Sequence, residues 1–283
     1  MSKKRIGIAV MALGMFLWAA AAYASPEAPR LLSPPMALPV PSGFLKVLLL
    51  LTFFVHLVLV NVLLGSVILS VIDRRASASD RKGGVAFMPK VLALAVNFGV
   101  APFLFLQVLY GHFLYPSIVL MAVWWMFVAL FAMLAYYGLY VSDGAVRPAR
   151  RTPILSLSAL LLLMTAFLLS NASTLMLRPD FWFRWFSEPH GHLLNTSDPT
   201  LFPRYLHILL ASLAVGGLTM AWHPGGASVI GSGQEGPSAV SSGAGLVFYV
   251  SLAQVPVGLL FLFTLPPDVR GLFWEETRCP RRP

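Results

Sequence analysis

Six apolar stretches, at roughly 44–72, 91–114, 117–142, 153–177, 204–222 and 245–265, alternate with short segments that hold most of the charge. A hydrocarbon core about 30 Å thick needs about 20 consecutive helical residues, and each stretch reaches that length. The pattern predicts an all-α protein, a polytopic transmembrane helical bundle of about six spans occupying 44–268. Within it, Tyr115-Pro116-Ser117 reads as a tight turn between the second and third spans. The 178–203 segment carries Phe181, Trp182, Phe183, Trp185 and Phe186 beside Arg178 and Arg184, which suits a helix lying in the membrane–water interface. The Gly/Ser-rich 223–244 segment reads as a flexible linker.

A seventh apolar run opens the chain and reads differently. Lys3, Lys4 and Arg5 precede an apolar Ile6–Ala20, and Ala22-Tyr23-Ala24 supplies the small-x-small pattern ahead of Ser25. Residues 1–24 are thus expected to be a cleaved signal peptide, the other reading being an uncleaved first helix. A Pro-rich lead follows at 25–43, with Pro26, Pro29, Pro34, Pro35, Pro39 and Pro41, and a tail closes the chain at 269–283.

Composition supports the membrane class: 58% of residues are hydrophobic, 11% are charged, and mean hydropathy is +0.78. The net charge of +9 does not call for nucleic acid. Much of it lies in two loops, with Arg74, Arg75, Arg81, Lys82 and Lys90 in one and Arg147, Arg150 and Arg151 in the other. Such loops stay cytoplasmic, so the expectation is a bacterial inner-membrane protein with both ends of the mature chain periplasmic. The lone Cys279 excludes an internal disulfide and a Cys-x-x-Cys-His attachment, so any haem would be non-covalent.

Chemistry inside the spans is sparse. From 91 to 142 and from 153 to 177 there is no Asp, Glu, Lys or Arg within the apolar runs, which disfavours a proton pump or an ion transporter. What remains is His56 in FFVHLVLVNVLLG, His112 in LQVLYGHFLYP and His207 in PRYLHILLASLAVGG. Imidazole is a common axial ligand of haem iron. At about 1.5 Å per residue, His56 stands about 26 Å above the cytoplasmic boundary, His207 about 22 Å and His112 about 33 Å. Depth alone selects His56 and His207 as the pair on one haem iron, with His112 at the outer edge. Two of them also have a plainer reading: an interhelical hydrogen bond for His56, a headgroup contact for His112. Arg204, three residues before His207, reads either as a propionate partner or as a headgroup anchor. His223 reads as a helix cap and His190-x-His192 as solvated surface. Asn61, Asn97, Gln107, Asn171 and Gln254 are expected to bridge helices.

The stretch from about 44 to 222 resembles the N-terminal half of subunit I of the cytochrome bd quinol oxidases. The resemblance lies in VHLVLVNVLLG, in KVLALAVNFGVA followed by Gln107 and YGHFLYP, and in LLNTSDPTLFPRYLHILLASLAVGG. It implies that His56 holds a high-spin haem and that His207 is an axial ligand of low-spin haem b. The third span, WWMFVALFAMLAYYG, lacks the family's proton-channel glutamate, and the quinol-binding loop, the Gly-Arg-Gln-Pro-Trp motif and the later helices are missing. Together these imply an electron-transfer subunit with one or two haem b groups. It would pass electrons between quinol and another redox subunit or a periplasmic cytochrome, without reducing oxygen by itself. The contrasting class is a haem-free membrane anchor or scaffold of a respiratory complex.

Overall fold

A computed structural model describes residues 38, 40–72, 86–143, 148–222 and 237–275. Its elements are α1 (Ser42–Ile72), α2 (Met88–Leu120), α3 (Ala122–Asp143), α4 (Pro148–Leu177), a 3-10 segment (Pro179–Phe186), α5 (Leu201–Trp222), α6 (Pro237–Thr264) and a short α7 (Pro267–Glu275). The described residues contain no strand. The expected signal peptide, most of the Pro-rich lead, the 73–85 and 144–147 loops, His223 and the end of the tail lie outside the described residues.

Six helices are long and apolar enough to cross a membrane. Only 6–28% of each spanning window is buried within the protein. Apolar side chains therefore ring the bundle on its outside, as in Phe54, Met126, Met133 and Tyr249. A water-soluble bundle turns its polar face outward, so this inversion makes the chain a multi-pass membrane protein in contact with lipid.

α1 is the centre of the bundle, packing on α2, α5 and α4, while α3 packs mainly on α4 and α6 on α5. Small residues set the closest approaches, because between helices in lipid the gain comes from van der Waals contact and hydrogen bonds. A Cβ on Gly65 of α1 would overlap the Ser212 carbonyl of α5 and stand 2.8 Å from Gly216 Cα. At the same level the Ser212 hydroxyl lies 2.8 Å from Asn61 Oδ1, an alternative to its own-helix acceptor, the Ile208 carbonyl, at 2.9 Å. Gly138 likewise admits Ser158 between α3 and α4.

Three expectations about the connections are corrected. Pro116 lies inside α2, and the chain turns at Met121 instead. Tyr110 leaves helical geometry (φ −134°, ψ 26°), while Pro116 has no N–H to offer the His112 carbonyl, so the helix bends rather than ends. At 33 residues, α2 exceeds a straight span, and the bend redirects its last ten residues. The interfacial segment is eight residues of 3-10 helix, Pro179–Phe186, followed by an irregular strap rather than one long helix. The 223–244 linker is shorter than expected, since α6 already begins at Pro237.

Candidate functional site

The strap at 187–200 closes the end of the bundle where α2 turns into α3. Its backbone pairs with that turn through Val123 N to Gly191 O and Leu193 N to Leu120 O, both 3.0 Å. Gly191 has φ +69°, a left-handed conformation that costs a residue with a side chain, and its missing Cβ makes room for Ala122. Beneath lies a buried polar cluster. Asp198, fully buried, accepts from Arg178 Nη1 at 3.0 Å and from the Thr200 N–H at 2.8 Å, capping the start of α5. Asn195 N–H donates to Asn171 Oδ1 at 3.0 Å, and Asn195 Nδ2 to Thr174 Oγ1 at 3.3 Å. Arg178 also pairs with Asp180 at 2.8 Å, and the Arg178 and Arg184 guanidiniums lie 4.7 and 5.0 Å from the centre of the Phe181 ring. Little in the sequence, taken residue by residue, points to this cluster. One local signal is present: Asp198-Pro199-Thr200 ahead of an apolar run is a helix-start signature.

His56 is placed between helices. Its Nδ1–H donates to the Ala95 carbonyl of α2 at 2.8 Å. The ring lies over Gly99, where an added Cβ would fall 2.8 Å from Cε1 and 2.9 Å from Nδ1. Phe53 stacks one turn away, with ring centroids 6.4 Å apart. Nδ1 being the donor, the neutral ring keeps its lone pair on Nε2. A carbonyl holding one ring nitrogen so that the other can bind iron is the usual arrangement behind a metal-bound histidine. With that donor set His56 could serve as an axial ligand of a haem. Gly99 is the residue that the sequence reading did not connect with it.

His207 stands at the same depth as His56, yet the two do not meet. Asn61 faces Ser212, and each histidine precedes its helix's contact residue by five positions, a rotation of about 140° at 100° per residue. α1 and α5 cross in the same direction, so equal rotations swing the two rings to opposite sides. His207 is accordingly exposed on the outside of α5, whereas His56 turns toward α2. His56 and His207 are thus not brought together, because depth carries no information about azimuth.

Arg204 sits in the first turn of α5 with its guanidinium 5.1 Å from the centre of the Phe261 ring of α6. Its Nε is buried without a partner. Arg204 and His207, three residues apart, lie on adjoining faces of one helix. His112 lies elsewhere, at the bend of α2, tilted against Phe113 at 4.4 Å. It borders a cleft of about 530 Å³ shared with the start of α1. His190 and His192 are exposed, and only the His192 carbonyl is engaged, by Trp124 Nε1 at 2.8 Å. Among the described residues, no three His, Cys, Asp or Glu side chains gather as a metal site. Of the amides expected to bridge helices, Asn61 and Asn171 do so across elements, while Asn97 bonds Ala93 of its own helix.

Compared with known proteins, the chain matches no family model, no curated protein and no solved structure.

Proposed function

We propose that this chain is an integral membrane b-type cytochrome subunit, moving electrons between quinol and another redox subunit or a periplasmic cytochrome. One observation carries the reading: His56 Nδ1–H is committed to the Ala95 carbonyl, leaving Nε2 as a lone-pair donor within an apolar wall. Haem b, when bound, supplies one-electron redox chemistry. The chain's own residues have narrower tasks. Ala95 and Gly99 fix the tautomer and plane of His56. Arg204, with a buried and unpaired Nε, offers positive charge for a carboxylate such as a propionate. His207, on the outward side of α5, would act against a group held between this chain and a partner, not against the iron of His56. The proposed setting is a bacterial inner membrane with the strap end facing the periplasm.

The second reading is a haem-free anchor. It is favoured by the same bond, since His56 to Ala95 is also an interhelical tie, and by the small buried share of α6. A reduced-minus-oxidised visible spectrum with acid-acetone extraction separates the two. The cytochrome reading expects extractable haem b, with a spectrum lost or strongly altered in His56→Ala. An extract free of haem, from cells supplied with it, overturns that reading and leaves the anchor.

A further inference from the structure

The cleft at the bend of α2 belongs to neither the His56 wall nor the strap. Its lining divides by chemistry. Leu38, Val40, Leu109 and Phe113 are apolar, while Ser42, Lys46 and His112 present polar atoms. No acidic side chain lines it, and among the described residues no carboxylate pairs with Lys46. The His112 ring nitrogens make no hydrogen bond within the described residues, leaving the imidazole able to face a ligand. The cleft volume, about 530 Å³, lies in the range of small-molecule sites.

Position narrows the occupant. Ser42 begins α1, and Tyr110 is where α2 bends before its turn, so the cleft stands at one end of the bundle where headgroups meet hydrocarbon. On α1 beside it, Phe44 and Val47 are 58% and 61% exposed, an apolar track running from the cleft into the lipid-facing surface. A cation, a hydroxyl and an imidazole above an apolar track complement a molecule with an anionic head and a hydrocarbon tail. Lysine is a common phosphate binder, acting as a point charge.

We propose that this cleft binds the phosphate headgroup of an anionic phospholipid, with Lys46 as its ionic partner, Ser42 and His112 as hydrogen-bonding partners, and the acyl chains along Phe44 and Val47. The site lies at the α2 bend, with Tyr110 itself in its lining. The lipid would pin α1 to α2 at the end where the Pro-rich lead enters.

Native mass spectrometry of the full chain, delipidated in neutral detergent, tests this with added phosphatidylglycerol or phosphatidylcholine. One phosphatidylglycerol should bind in preference to phosphatidylcholine. Lys46→Gln should reduce that preference about tenfold, the effect of losing one charge-assisted hydrogen bond, and adding His112→Leu should reduce it further. Lys90→Gln, at the opposite end of α2, should leave it intact. Lys46 is exposed, so its variant leaves the core packing alone, and circular dichroism checks this. An unchanged preference in Lys46→Gln, or an equal fall in Lys90→Gln, overturns the proposal. Full displacement by millimolar inorganic phosphate would mark a free-anion site and overturn the lipid assignment.

Discussion

Gly65→Ala is the sharpest probe of how this bundle is held together. The new Cβ would start 2.8 Å from Gly216 Cα, and ordinary contact begins at 3.4 Å. The Ser212 carbonyl lies closer still, and both obstacles are backbone, which cannot rotate aside. α1 and α5 must therefore separate, and the 2.8 Å Ser212–Asn61 contact beside them opens. Overpacking of a tight site costs about 1–3 kcal/mol. An interhelical hydrogen bond in a membrane protein adds about 0.6 kcal/mol, with a maximum near 1.7. A loss of roughly 2–4 kcal/mol is expected from the two together. Unfolding by SDS titration from a mild detergent, followed by circular dichroism, reads it. The internal control is Gly258→Ala in α6, where nothing lies within 4 Å of the added methyl. That change should be neutral or stabilising by up to about 1 kcal/mol, since alanine is the better helix former. A Gly65→Ala protein as stable as wild type, or as stable as Gly258→Ala, would refute the close backbone contact between α1 and α5.

Further outcomes follow from the other sites. Gly99→Ala should push the His56 ring off the Ala95 carbonyl. Under the proposed cytochrome reading, a haem spectrum should then shift or disappear while overall stability falls by only about 1 kcal/mol, the scale of one interhelical bond; an unaltered spectrum would detach Gly99 from the proposed haem site. Asp198→Ala leaves Arg178 with Asp180 as its remaining partner and uncaps α5, which should cost about 1–3 kcal/mol in the same SDS titration and expose the strap to protease; a loss under about 0.5 kcal/mol would show that the cluster is not holding the strap. Single cysteines at Ser187 and Ser79, in a Cys279→Ser background, report orientation. Ser187 should react with an impermeant reagent in intact cells and Ser79 only after lysis, and the reverse would move the strap end to the cytoplasm.

The spans were legible in the sequence because bilayer thickness alone dictates them: about 20 apolar residues between polar segments is a local property. The expected depth of each histidine followed from helical rise in the same way, and in the structure Asn61 of α1 and Ser212 of α5, each five residues past a histidine, lie at one level of the bundle. What needed the folded chain was direction around each helix. Apolar residues on all sides leave no stripe that marks a packing face, so the sequence does not say that His56 turns to α2 while His207 turns outward. Those azimuths are set by Gly65 meeting Gly216, a contact between residues far apart in the chain. Proline misled at 116 for a related reason: its missing N–H permits either a turn or a bend, and α2 takes the bend at Tyr110. The buried Asp198 likewise meets Arg178 only once the strap returns across the end of α4, because the two lie 20 residues apart in the chain and no local pattern pairs them.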